Sequence, residues 1–133
     1  MVDRDMSLEE FHRTRHAEIQ MYLLLGKGTE RGAQERAADK SRADELLRQH
    51  FLYLWELEEQ GKLFGAGPVD AGTPNQEGLF IVAAASREEA EQIAANEPFQ
   101  KAGWRSTTIR TWQLNEGLGV PLGRELAGKR QPV

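Results

Sequence analysis

The stretch from 78 to 85 reads Gly-Leu-Phe-Ile-Val-Ala-Ala-Ala and is apolar at both parities, with Leu79, Ile81 and Ala83 on one side and Phe80, Val82 and Ala84 on the other. Side chains of a strand alternate between the two faces of a sheet, so both faces must be withdrawn from water here. Helices can cover one face. If they all lie on that side, the doubled pattern calls for a second sheet packed on the other.

The remaining segments read as alternating elements. Ser7 to Arg15 opens with a Ser-x-x-Glu capping box and spaces Leu8 and Phe11 three apart, a short amphipathic helix appended to the domain. From Ala17 to Leu25 the period is two, with Ile19, Met21, Leu23 and Leu25 on one parity, as in a strand. Gly26 to Lys40 has Gly, Ala and charge without an apolar anchor and reads as a mobile, exposed connection with room for a helical turn. A second capping box, Ser41-x-x-Asp44, opens the strongest helical pattern, which runs to Gln60 and stops at Gly61. Its apolar arc, from Tyr53 through Leu57, Leu54, Leu47 and Phe51 to Trp55, is wider than one sheet can cover. Phe51 and Trp55 are therefore expected to meet the N-terminal helix or a second subunit.

Lys62 to Asp70 reads as a strand ended by Pro68, which places it at an edge. Ala71 to Glu77 is a polar turn. A third capping box, Ser86-x-x-Glu89, starts a helix that ends near Asn96, because Pro98 pushes Glu97 out of helical angles. Trp104 to Leu114 alternates and is rich in β-branched residues, a last strand that would set Trp104 and Trp112 on one face. The order strand, helix, strand, strand, helix, strand is the ferredoxin-like βαββαβ arrangement, an α+β fold with an antiparallel sheet and both helices on one side. The expected organisation is an N-terminal appendage over 1–16, the α+β domain over 17–117 and an irregular C-terminal tail over 118–133.

Composition narrows the function. The 133 residues suit one domain, and at that size about two-thirds of the unfolded chain's surface can be buried without covalent staples. No cysteine is present, which excludes a disulfide scaffold, a thiolate zinc site and cysteine catalysis, and fits a reducing compartment. The charge balance, 17 − 21 = −4, argues against a nucleic-acid partner. No apolar run approaches the ~20 residues of a membrane span, and residues 1 to 10 hold no apolar core of a secretion signal, so a soluble, cytoplasmic protein is expected. No dinucleotide fingerprint or Schiff-base lysine stands out, and no cofactor is expected. His12 and His16 stand four apart without a third ligand, so no metal is expected either.

From residue 50 onward a combined pattern emerges. His50-Phe-Leu-Tyr-Leu, Leu57, Gly61-Lys-Leu, Ala66-Gly67-Pro68, the apolar strand from 78 to 85, Ser86 with Glu88, Glu89 and Ala90, and Glu97-Pro98-Phe99 before Ala102-Gly103 together resemble the YCII family over about residues 17 to 115. The resemblance implies a ferredoxin-like subunit that pairs sheet to sheet into a dimeric α/β barrel. It also implies an active-site pair of a helix histidine and an aspartate before Pro-Phe, which fall here on His50 and Glu97. Glu in place of the usual Asp is a departure that adds one methylene. Relatives include dehydrochlorinases of chlorinated hydroxyquinones, and the wider superfamily holds muconolactone isomerases and small monooxygenases, so the likeness names no single reaction.

The residues themselves leave two readings of His50. At 100° per residue from Leu46 it falls at about 40°, inside the apolar arc between Leu57 and Leu54. It is either a core histidine satisfied by a backbone carbonyl or a general acid–base, with burial lowering its pKa, a neighbouring carboxylate raising it, and Glu97 orienting one ring nitrogen. Arg42 is a candidate for an anionic substrate group, Gly67 and Pro68 for a pocket wall, and Trp104 for a cavity lining or core filling. The function expected is that of a small homodimer whose His50 and Glu97 serve a lyase or isomerase reaction on a small aromatic or lactone-like molecule. The alternative is a non-catalytic ligand-binding or assembly module, favoured if the pair has no cavity of about 300 Å³ beside it.

Overall fold

A computed structural model describes residues 1–129 of the chain. In order, α1 (Leu8–Thr14), β1 (Ile19–Gly28), α2 (Glu30–Ala38), α3 (Lys40–Glu59), β2 (Leu63–Val69), β3 (Glu77–Val82), α4 (Arg87–Asn96), α5 (Pro98–Lys101), β4 (Arg105–Leu114) and α6 (Val120–Lys129) build one four-stranded sheet. The sheet runs β2-β3-β1-β4 with every neighbouring pair antiparallel, the ferredoxin-like order. Pro68 lies on the edge strand, as its missing N–H requires.

One face of the sheet packs on α3 and α4. Tyr22, Leu24, Phe80, Val82 and Ala84 meet Leu57, Ala90, Ile93 and Ala94 in the main core. Helix α3 ends at Gly61, whose φ of +72° is the left-handed turn that a glycine supplies without strain. Ser86 caps α4 by accepting from the Glu89 N–H at 3.1 Å, as its capping box requires.

The opposite face is divided. Helix α6 lies across one end of it, where Leu126 packs with Ile19, Met21, Ala83 and Leu114, and Phe64, Ile81 and Trp112 close around them. The approach is tight at Gly123, where a Cβ would come within 2.6 Å of the Leu114 side chain. An irregular tail was the expectation, and for 120–129 the structure corrects it. Val120, Gly123, Leu126 and Ala127 share one face of the helix, and Pro121 sits in the first turn, where no backbone donor is lost. The expectation for 130–133 lies outside the described residues. Beyond α6, Leu23 with Ile81 and Leu25 with Leu79 form cross-strand pairs that stay half-buried, and Thr108 and Arg110 beside them are exposed. The second layer demanded by the doubled pattern of β3 is thus partly intramolecular.

Residues 26 to 40 are not a mobile connection. Strand β1 continues to Gly28, and Thr29 caps α2 by accepting from the Gly32 N–H at 3.0 Å. Helix α2 has no apolar anchor because its contact is made by backbone: a Cβ on Gly32 would stand 2.8 Å from the Trp104 Cα. Asp39, not Ser41, then caps α3, accepting from the Arg42 N–H at 3.1 Å, and Asp44 pairs with Lys40 instead. Glu18 takes φ 54°, so β1 starts at Ile19 rather than Ala17. Phe51 and Trp55 remain exposed, and α1 does not cover them: its end is tied through His16, which hydrogen-bonds Glu116 and pairs with Glu18 at 3.2 Å.

Candidate active site

His50 comes from the middle of α3 and Glu97 from the junction of α4 and α5. Glu97 has φ −65° and ψ 130°, the extended geometry that Pro98 imposes on its predecessor, and it ends one helix while capping the next. That double duty aims its carboxylate inward. Oε2 accepts the Gln100 N–H at 2.9 Å, and Oε1 stands 2.8 Å from His50 Nδ1. Both residues are buried, His50 at 7 % and Glu97 at 4 % exposure. The rings of Phe80 and Phe99 flank the imidazole at 5.7 and 5.0 Å between centroids.

Burial alone would raise the Glu97 carboxyl, but the His50 hydrogen bond and the backbone donors of Gln100 and Phe99 outweigh it and hold the group below its usual value. Glu97 is therefore a carboxylate at neutral pH, and as an acceptor it fixes the His50 proton on Nδ1. Among the described residues none hydrogen-bonds to Nε2. His50 thus bonds a side-chain carboxylate rather than the backbone carbonyl considered above.

The space beside Glu97 is lined by Gly26, Gly78, Phe80, Ala94, Glu97 and Arg105, among others, with His50 behind the Phe80 ring and outside the lining, and it amounts to about 10 Å³, room for about one water. It is small because Arg105 fills it. The guanidinium lies 4.6 Å above the Phe99 ring, and its chain crosses two glycines that are paired across β1 and β3. A Cβ on Gly78 would come within 2.6 Å of Nη1, and one on Gly26 within 3.1 Å of Cδ.

The sequence-derived candidates divide. Trp104 is buried against Phe99 and Leu46, on the same side as the pair, and its Nε1–H donates to Glu35 at 2.7 Å. Arg42 stands with its guanidinium carbon 6.0 Å from the Trp104 ring. Trp112 does not share a face with Trp104, which precedes β4, and packs under α6 on the far side of the sheet. Gly67 and Pro68 sit on the exposed edge strand outside the lining of the cavity, although Pro68 pairs with Gly78. Arg105, Gly26, Gly78 and Arg36 escaped sequence reasoning. The two glycines inside apolar strands were the available signal, since such a glycine marks a close approach. Among the described residues no group of three or more His, Asp or Glu side chains is placed to hold a metal ion.

The fold and the pair define a class, a ferredoxin-like α+β domain with a histidine–carboxylate dyad buried between its helix layer and its sheet. Residues 21–113 match the YCII-related domain, and the chain belongs to that family. The matched stretch holds His50, Glu97 and Arg105 and ends before α6. The uncharacterized protein YjpA of Bacillus subtilis (strain 168) is 30 % identical over 95 residues, 71 % of this chain and 96 % of that one. Among solved structures, the 5-chloro-2-hydroxyhydroquinone dehydrochlorinase TftG of Burkholderia phenoliruptrix AC1100, in complex with 2,5-dihydroxybenzoquinone, is similar with a TM-score of 0.49 and 26 % identity, covering 69 % of this chain and 92 % of that one. Among the described residues no helix is long and apolar enough to cross a membrane.

Proposed function

We propose that the chain is a small cytoplasmic acid–base enzyme, a lyase or isomerase that moves a proton on a small aromatic or lactone-like molecule. The observation that carries the reading is the buried His50–Glu97 bond with Nε2 left without a protein partner. With the Nδ1 proton held by Glu97, the Nε2 lone pair is the base. It takes a proton from substrate, the imidazolium is stabilised by the adjacent carboxylate, and the same proton returns to another atom of the substrate or to a leaving group. Glu97 is the positioning residue of this scheme and His50 its catalytic residue. The unclosed part of the sheet face at Leu23, Leu25, Leu79 and Ile81 supports a homodimer paired across it.

The small cavity favours the second reading, a binding or assembly module without catalysis. What supports the enzyme against it is the identity of the filler, a flexible arginine lying on glycine backbone rather than packed core.

One experiment decides between them. A library of small aromatic acids, phenols and lactones is screened by thermal shift against wild type and His50→Ala, and each binder is then followed by proton NMR in deuterated solvent. The enzyme reading expects a wild-type binder to exchange a carbon-bound proton for deuterium, with exchange lost in His50→Ala. Binders that never exchange establish the module. No binder at all, with His50→Ala strongly destabilised, makes His50 a core residue.

A further inference from the structure

Arg105 is a half-buried cation without a counter-ion in contact. Among the described residues its guanidinium makes no ion pair and no hydrogen bond, although Glu97 is close enough to act on it through space. Glu97 already accepts from His50 on one oxygen and from the Gln100 N–H on the other, and it acts on Arg105 through space without a direct contact. What holds the guanidinium is the Phe99 ring beneath it, a cation–π contact that occupies its face and leaves its N–H edge free. A half-buried cation whose donors meet no protein acceptor keeps them available to water or to a ligand.

Two more arginines surround the same aromatic wall. Arg36 stands 5.8 Å from the Phe99 centroid and 5.5 Å from that of Trp104, and Arg42 stands 6.0 Å from Trp104. Neither makes an ion pair among the described residues, and Glu35, the carboxylate between them, is engaged by Trp104 and Arg31. A chain of net charge −4 has thus gathered three arginines without an ion-pair contact among the described residues around the Phe99–Trp104 wall that flanks its dyad. Positive potential concentrated on one patch of an acidic protein favours an anion there.

We infer that the site takes a small flat monoanion, a carboxylate or a phenolate or enolate oxygen on an apolar body, with the anionic oxygen held by Arg105 and the body laid along the Gly26–Gly78 trough toward His50. The inference rests on the proposed function, whose substrate class it names. The trough has room for about one water while Arg105 lies in it, so the arginine is both the seat and the gate: its chain leaves the glycines as the ligand enters, and its head stays with the anion. A forked guanidinium suits two oxygens in one plane, which lysine would not match. Arg36 and Arg42 act at longer range, steering the anion inward.

The test is calorimetric titration of benzoate and 4-nitrophenolate, against neutral benzamide, into wild type, Arg105→Gln, Arg105→Lys, Gly78→Ala and Arg36→Gln, with the His50 ring followed by NMR. Wild type should bind benzoate at least tenfold more tightly than benzamide. Arg105→Gln should erase that preference and Arg105→Lys keep part of it. Gly78→Ala, which changes no charge but puts a methyl where Nη1 now lies, should lose benzoate about as severely, so the inference stands even if Arg105→Gln folds poorly. Arg36→Gln should weaken binding a few-fold, more at low salt. Equal affinity for benzoate and benzamide, no binding of either, or an unaffected Arg105→Gln overturns the anion seat while leaving deuterium exchange of some neutral substrate, and so the proton-transfer reading, standing. Anion binding that leaves the His50 ring signals unmoved overturns the placement of the seat beside the dyad.

Discussion

Replacing Glu97 with alanine removes its backbone capping contacts and its bond to His50 at once, and the two losses are separable. The first is a helix cap: Oε2 accepts the Gln100 N–H at 2.9 Å at the start of α5, and deletion of such a cap costs about 1 kcal/mol. The second is the stranding of His50 Nδ1–H, a donor in a residue only 7 % exposed, which costs ~1–3 kcal/mol when its acceptor disappears. Together the loss is about 3 kcal/mol, or roughly 10 °C in Tm for a domain of this size. Urea unfolding at pH 7 measures it as a lower midpoint with an unchanged slope. Glu97→Gln is the sharper variant, because its NH₂ must face one of the two donors, and about 2 kcal/mol should go. Glu97→Asp puts in place the residue that the resemblance led one to expect there. Aspartate is a good cap, so α5 should survive, while the shorter reach draws the carboxylate back from His50.

The pH dependence follows from the depressed carboxyl. A carboxylate bound more tightly in the folded state stabilises the fold above its unfolded value, near 4.5, and that contribution disappears as pH falls through the lower folded value. The gap between wild type and Glu97→Gln should therefore be full at pH 7 and shrink below about 4.5. Should Glu97→Ala unfold within 0.5 kcal/mol of wild type, a margin typical of surface substitutions, the bonds described here contribute nothing to stability. A gap that stays constant into acid would likewise remove the Glu97 carboxylate as the partner of His50.

Two further outcomes are expected. Sedimentation equilibrium should give twice the 15.0 kDa chain mass for wild type and the single mass for Leu25→Glu, whose charge falls in the half-buried strip of the open sheet face; wild type at the single mass refutes the dimer. His16 is raised by its hydrogen bond to Glu116, so the tie between α1 and the segment after β4 is fully present below pH 6.5 and is lost as pH rises through the folded value. Hydrogen exchange at the Ala17 N–H, which bonds the Asn115 carbonyl at 2.9 Å, should lose protection over that rise once intrinsic exchange is corrected for. Glu116→Gln should abolish the change, and a pH-independent protection in wild type would exclude the tie.

Where an element was legible in the sequence, its signal was apolar and local. The arc of α3, the alternation of β1 and β4, and the Ser86 box of α4 each state their partner's direction in their own periodicity. Helix α2 is the converse: it is held by Gly32 against a backbone and by Glu35 on an indole, contacts that leave no hydrophobic period to read. The site divides in the same way. His50 and Glu97 were picked out as a pair by the resemblance to the YCII family, the apolar arc placing only His50 inside, whereas Arg105 resembles any polar strand residue until Gly26 and Gly78 are seen to lie beneath it.

Apolar parity measures how much surface must leave water but says nothing of the chemistry of the cover, and two covers satisfy it equally. At Ala83 and Met21 the cover is α6, threaded from the same chain through a Gly-rich turn that masked it; at Leu25 and Leu79 no described residue supplies one to completion. Because α6 takes only one end of the face, the proposed second copy would approach over the other, the end that carries Gly26 and Gly78. Those two glycines also floor the Arg105 trough from the helix side. Packing across the open face would therefore stiffen the backbone under the gate, and Leu25→Glu should change benzoate affinity as well as mass, by a route that touches neither His50 nor Arg105.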